Sequence, residues 1–168
     1  MFLGMAGTSF ITNEGANRSK IGGSGASFGF ALGGAVYEGL ILYGEFALSG
    51  PGRPLTLEGA VPAELDVQEA NLVGLGVGAA YYLMPINVYF SATVLASFLS
   101  IEGPNSTTFD SSTGPGLSLM LGKEWWVSAD WGLGIAAQTW LATMGGGELG
   151  SARWKATTGT LAFTATYN

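Results

Sequence analysis

The sequence predicts an all-β protein, an eight-stranded antiparallel up-and-down transmembrane β-barrel. Three observations predict it: apolar residues recur with a period of two, few residues are charged, and long and short polar connections alternate along the chain. Charged residues make up 11% of the chain, whereas soluble domains average about 25%. No apolar run reaches the roughly 18 residues of a transmembrane helix. A closed sheet is then the remaining way to satisfy every backbone group in lipid. The 168 residues form one domain.

The alternation is clearest from Asn71 to Leu99, where two arms flank the Met84–Asn87 turn. Each arm has the length of a tilted membrane-crossing strand. In the first arm large residues occupy one face and glycines the other. The large faces of the two arms are Val73, Leu75, Val77, Ala79, Tyr81 and Leu83, then Val88, Phe90, Ala92, Val94, Ala96 and Phe98.

The other strands follow from the same alternation, bounded by turn-forming residues. They are predicted at Phe2–Thr12, Gly25–Tyr37, Leu40–Ser49, Gly114–Trp126, Trp131–Met144 and Trp154–Tyr167. Polar, Gly- or Pro-rich connections are predicted at Asn13–Ser24, Gly50–Gln68, Glu102–Thr113 and Gly145–Arg153. Tight turns are predicted at Glu38–Gly39, Met84–Asn87 and Val127–Asp130. Long and short connections therefore lie at opposite ends of the barrel, as in outer-membrane barrels.

The direction of the large residues separates a membrane barrel from a soluble one. In a soluble, lipocalin-like barrel Val73, Phe90, Leu119 and Ile135 would fill the lumen. The outer wall would then consist of Gly, Ala, Ser and Thr with almost no charge, which is unusual for a surface in water. The composition therefore favours large residues facing lipid, and the soluble barrel remains the alternative.

Aromatic residues cluster near the short turns, where a membrane interface attracts Trp and Tyr. The predicted interface residues are Tyr37, Tyr81, Tyr89, Trp125, Trp131 and Tyr167. A second group near the long loops is assigned to the other interface: Phe10, Phe28, Phe46, Phe98, Trp140 and Trp154. The alternative is that these rings belong to an ordinary core.

Three polar residues are predicted to face the lumen: Glu45, Gln138 and Glu124. A carboxylate inside a barrel is costly unless it is paired or wet. One interpretation is that hydrogen bonds hold these side chains and close the lumen, with Glu45 next to a tyrosine. The other is a binding or selectivity group. The lumen face is otherwise rich in Gly and Ala. Either Tyr43, Tyr82, Tyr89 and Met120 close it, or a slender apolar cavity remains.

The whole chain resembles the small eight-stranded outer-membrane barrels of Gram-negative bacteria, the class of the OmpA barrel, OmpX and OmpW. The resemblance implies a bacterial outer-membrane location, short periplasmic turns and longer extracellular loops, with the lipid bilayer as partner. The alternating Leu161, Phe163, Ala165 and Tyr167 resemble the terminal signal that the barrel-insertion machinery reads, although Asn168 follows. Because such proteins need an export signal and none precedes the first strand, we expect these residues to represent a mature form.

Composition excludes several functions. The chain has no Cys and no His, which disfavours catalysis, and we expect no cofactor and no metal. A net charge of -6 disfavours nucleic acid. The leading hypothesis is a non-enzymatic outer-membrane barrel that is structural or presents acidic loops to a protein partner. The alternative is a narrow barrel for passage or binding of small hydrophobic molecules. The predicted partner loop carries Arg53, Glu58, Glu64 and Asp66.

Overall fold

A computed structural model describes residues 1–14, 17–52, 55–58, 69–103, 108–149 and 153–167. In these ranges nearly all residues are in strands. The strands are β1 (Phe2–Glu14), β2 (Asn17–Tyr37), β3 (Leu40–Pro51), β4 (Thr56–Glu58), β5 (Glu69–Leu83), β6 (Val88–Glu102), β7 (Thr108–Asp110), β8 (Gly114–Trp126), β9 (Trp131–Met144) and β10 (Arg153–Tyr167). A 3-10 turn covers Gly147–Leu149.

Eight long strands form a closed antiparallel ring. Neighbours along the ring follow the order β1, β2, β3, β5, β6, β8, β9 and β10, and β1 pairs with both β2 and β10. The short strands β4 and β7 add to the edges of β2 and β6 at the long-loop end. The predicted all-β, up-and-down barrel is confirmed. No helix in the described ranges is long and apolar enough to cross a membrane.

The short-turn end is built by local backbone geometry. Gly39 has a φ of 76° and ends the turn between β2 and β3, a conformation that favours glycine. Asn87 has a φ of 50° in the turn between β5 and β6, and asparagine tolerates this region better than most residues. The predicted tight turns at these two positions are confirmed.

The predicted Asn13–Ser24 loop was wrong over most of its length. The structure continues β1 to Glu14 and starts β2 at Asn17, with these two residues paired. The extension is possible because β10 pairs with β1 up to Asn13 and β4 pairs with β2 at Lys20. Backbone pairing on both sides stabilises a polar, Gly-rich segment that has no hydrophobic pattern of its own. β4 and β7 likewise lie inside stretches predicted as loops.

Large apolar side chains face outward, as the sequence predicts. Eight such residues from β5, β6, β8, β9 and β10 are between 52% and 78% exposed: Leu75, Val77, Phe90, Val94, Leu121, Ile135, Leu161 and Phe163. The inverted, soluble-type arrangement is thereby contradicted, because a soluble barrel would bury these side chains. An exposed apolar band of this extent is the surface of a protein that lies in lipid.

The long-loop half of the lumen is filled by a cluster that we call the plug. Its members are Phe10, Ile21, Ala47, Ala70, Leu72, Leu95, Leu99, Ile101, Trp140, Ala142, Met144, Trp154 and Ala156. The prediction that Phe10, Trp140 and Trp154 contact the membrane interface was therefore wrong. Each occupies an inward-facing position of its strand and is at most 6% exposed. Phe28 and Phe46 of the same predicted group do face outward, each 39% exposed.

Candidate functional site

A cavity of about 360 Å³ occupies the short-turn half of the lumen, on the opposite side of the plug from the long loops. Its lining includes inward residues of β3, β5, β6, β8 and β10, among them Tyr43, Glu45, Tyr82, Tyr89 and Glu124. Glycines help to form it by leaving room for the rings. A Cβ atom on Gly122, for example, would overlap the ring of Tyr89.

Glu45 of β3 is buried in this wall, with 5% of its surface exposed. Its Oε2 accepts a hydrogen bond of 2.5 Å from Oγ1 of Thr93 on β6. Oγ1 of Thr93 lies 2.8 Å from the hydroxyl of Tyr43. Since a threonine hydroxyl has one hydrogen, which Thr93 gives to Glu45, Tyr43 donates to Thr93. The carboxylate is thus held through a threonine and not by direct contact with a tyrosine.

Glu124 of β8 is 1% exposed and has more complete hydrogen bonding. Oγ1 of Thr166 donates to its Oε1 at 2.6 Å, and the Tyr82 hydroxyl donates to its Oε2 at 3.3 Å. Tyr82 stacks on Tyr89 with ring centroids 5.0 Å apart. The Tyr89 hydroxyl in turn donates to Sδ of Met120 at 3.4 Å. This group is one connected polar and aromatic layer across the lumen.

Gln138, the third predicted lumen residue, is buried inside the barrel but lies outside the cavity lining. Its Nε2 donates to Oγ of Ser118 at 2.8 Å, and its Oε1 has no hydrogen-bond partner among the described residues. The structure therefore brings Glu45 and Glu124 to one cavity and leaves Gln138 in a separate pair with Ser118.

The described lysine and arginine side chains all lie outside the lumen. Lys20 forms an ion pair of 3.3 Å with Glu58. Nζ of Lys123 donates to the backbone oxygen of Ile86, and Arg153 and Lys155 are exposed. In the described ranges the two lumenal carboxylates therefore face hydroxyl groups and no cationic side chain.

Five of the six predicted interface aromatics lie on the outer surface at the short-turn end. They are between 45% and 75% exposed: Tyr37, Tyr81, Trp125, Trp131 and Tyr167. Trp131 and Tyr167 pair edge to face, with centroids 5.3 Å apart. The assignment of Tyr89 to the interface was wrong, because odd-numbered positions of β6 face the lumen and Tyr89 is 5% exposed. Its alternative prediction, as a ring that covers lumenal glycines, agrees with the contact at Gly122.

The predicted partner loop is described only in part. Glu58 lies in β4 with an exposed side chain, and its carboxylate binds Lys20. Arg53, Glu64 and Asp66 lie outside the described residues. Among the described residues there is no group of three or more acidic side chains arranged to hold a metal ion.

Sequence reasoning missed the hydroxyl donors Thr93 and Thr166. Both lie on inward positions, so the period-two pattern gives their direction. Which carboxylate each would reach depends on the register between strands that are distant in sequence: Thr93 lies 48 positions from Glu45, and Thr166 lies 42 positions from Glu124. The alternation alone does not fix that register.

The sequence matches no family model and no curated protein. Among solved structures the chain is similar to Neisserial surface protein A, with 12% identity and a TM-score of 0.47 over 99% of this chain and 96% of that chain. It is also similar to Ail, the attachment invasion locus protein of Yersinia pestis, with 11% identity and a TM-score of 0.46 over 99% and 97% of the two chains. A structure of Ail in complex with the heparin analogue sucrose octasulfate gives 10% identity and a TM-score of 0.42 over 98% and 97%.

Proposed function

We propose that this protein is a non-enzymatic integral barrel of the bacterial outer membrane. In this proposal the barrel conducts no solute and holds its acidic long-loop end outside the membrane for contact with a protein partner. The observation that carries it is the combination of an apolar outer wall with a plugged lumen. The absence of histidine and cysteine from the sequence supports a role without catalysis.

The plug supports a barrel that does not conduct. Trp140, Leu99 and Ile101 are at most 1% exposed and belong to the apolar cluster inside the barrel. An eight-stranded barrel is just wide enough for its side chains to fill. Water and ions would have to pass through this apolar packing, so we expect no open path between the two ends.

Electrical recording tests this part of the proposal. The refolded barrel in a planar bilayer is expected to add no steady conductance above that of protein-free membrane, and liposomes containing it should not swell in sugar solutions. Steady single-channel currents that scale with the amount of inserted protein would refute it. A heat-modifiable gel shift on the same sample confirms that folded protein was inserted.

The long-loop end supports the contact role. Glu58, Asp110 and Glu148 are exposed there, on three different elements. The carboxylate of Glu148 accepts a hydrogen bond from the backbone nitrogen of Asp110 at 3.2 Å, which fixes the position of one acidic group. Dispersed exposed carboxylates of this kind complement a basic partner surface and mainly increase its association rate.

Oligolysine binding to the barrel in zwitterionic nanodiscs measures this complementarity. The triple variant Glu58→Gln, Asp110→Asn and Glu148→Gln is expected to bind at least tenfold more weakly than the parent. The double variant Glu38→Gln and Asp130→Asn is the control, because it removes exposed charges at the short-turn end, far from the long loops. Equal loss in the control, or no loss in the triple variant, would contradict the role of the loop end.

A second candidate function is the binding of a small hydrophobic molecule. The cavity of about 360 Å³ favours it, because this volume lies within the range of about 300–1,000 Å³ found for ligand sites. The plug closes the long-loop side of the cavity, so this candidate is binding and not passage.

A further inference from the structure

We infer that the lumenal cavity binds an organic cation with an apolar body, and that Glu45 pairs with its positive group. The inference deepens the second candidate function by naming the ligand chemistry. It rests on the difference between the two buried carboxylates, on the cavity beside them and on the aromatic lining.

The two carboxylates differ in how completely they are hydrogen-bonded. Glu124 accepts from two hydroxyl donors, one on each oxygen. The hydrogen bond that Glu45 accepts is from Thr93, on Oε2. Glu45 nevertheless has only 5% of its surface exposed, and it lines the cavity. A buried carboxylate with a neutral hydroxyl donor is costly, and a charged donor offsets that cost best.

The protein itself supplies little positive charge to the cavity. No lysine or arginine of the described ranges contributes to the lining. The α-amino group of Met1 lies at the cavity, where it donates to the backbone oxygen of Ala165 at 2.8 Å. Its charge acts on Glu124 and Glu45 through space, and its hydrogen bond goes to Ala165. Glu45 lines the cavity, so a ligand that enters this space can reach its side chain.

The remaining lining specifies the rest of the ligand. Tyr43, Tyr82 and Tyr89 present aromatic rings, and Phe2 and Met120 add apolar surface. Tyrosine faces attract organic ammonium groups through cation–π interactions. The volume of about 360 Å³ exceeds the need of a bare ion, and the described residues contain no cluster of metal-binding side chains. An alkylammonium ion, with one charge and an aliphatic chain, fits both features.

Three probes of equal chain length separate the effect of charge from that of hydrophobicity: octylammonium, octanol and octanoate. Each is titrated into the 15N-labelled barrel in zwitterionic nanodiscs, and amide chemical shifts are followed. Octylammonium is expected to give saturable shifts at residues 43–45 and 91–93. Octanol and octanoate are expected to bind at these residues with an apparent affinity at least tenfold lower.

Two charge-neutralising variants test the assignment to Glu45. Glu45→Gln is expected to weaken octylammonium binding at least tenfold, with an otherwise unchanged amide spectrum. Glu69→Gln removes an exposed carboxylate at the opposite end and is expected to leave the affinity unchanged. If Glu45→Gln does not fold, the comparison of the three probes on the parent protein decides alone.

Several results would overturn the inference. These are equal binding of octanol and octylammonium, absence of saturable shifts at 43–45 with octylammonium, or undiminished affinity in a folded Glu45→Gln variant. Each of them leaves the conductance test of the barrel unaffected, so failure of this site and failure of the non-conducting barrel are distinguishable.

Discussion

Truncation of Trp140 tests the plug, because this side chain is one of its largest and most deeply buried members. Trp140 of β9 is 1% exposed, and its ring lies across the barrel against Gly74 of β5, where an added Cβ would overlap the indole. Removing a buried tryptophan side chain costs about 3–5 kcal/mol. The indole Nε1, however, is buried without a hydrogen-bond partner among the described residues. Removing a buried donor that has no partner increases the free energy of unfolding by about 1–3 kcal/mol.

For Trp140→Ala the midpoints of these opposing ranges leave a loss of about 2 kcal/mol in the free energy of unfolding. Trp140→Phe keeps a ring against Gly74 and removes the orphaned N–H, so we expect a change within about 1 kcal/mol. The assay is reversible urea unfolding from phospholipid vesicles, followed by far-UV circular dichroism so that the lost indole does not distort the signal. A loss below 1 kcal/mol for Trp140→Ala, or equal losses for the two variants, would refute the packing described.

Three other substitutions are compared in the same unfolding assay. Gly122→Ala places a methyl group into the ring of Tyr89 and should destabilise the barrel by about 1–3 kcal/mol. Gly7→Ala is the control, because no atom lies within 4 Å of the added Cβ, and it should be neutral or slightly stabilising. Equal effects of the two substitutions would contradict the lumenal position of Tyr89. Glu58→Gln breaks the exposed ion pair with Lys20 and should change the stability by less than about 1 kcal/mol, and a larger loss would show that β4 contributes to the stability of the barrel wall.

The wall of the barrel could be predicted from the sequence because the alternation of side-chain direction is a property of each strand by itself. From Leu117 to Leu121 in β8 and from Trp131 to Ile135 in β9, large apolar residues on one face alternate with Ser, Met or Gly on the other, so the facing directions follow. The predicted limits of these two strands match the structure. The same alternation of inward and outward side chains places Phe10 and Trp140 inside. It outweighs the preference of aromatic residues for the membrane interface.

The polar ends and the site contacts depend on register and could not be predicted. The stretch from Asn13 to Ser24 has turn-forming composition, and only its pairing with β10 and β4 makes it strand. Burial of Glu45 followed from alternation. Its donor, Thr93, comes from a strand that does not neighbour β3 in the ring and reaches Glu45 across the lumen.

Contact between lipid chains and individual side chains tests the sidedness of the wall most directly. Val94 and Leu95 are neighbours in β6, yet they are 64% and 2% exposed. In nanodiscs with methyl-labelled protein, cross-relaxation from lipid methylene protons should be strong at the methyl groups of Val94 and Leu75 and absent at those of Leu95 and Leu99. Strong transfer to Leu95 and Leu99 with none to Val94 and Leu75 would contradict the account.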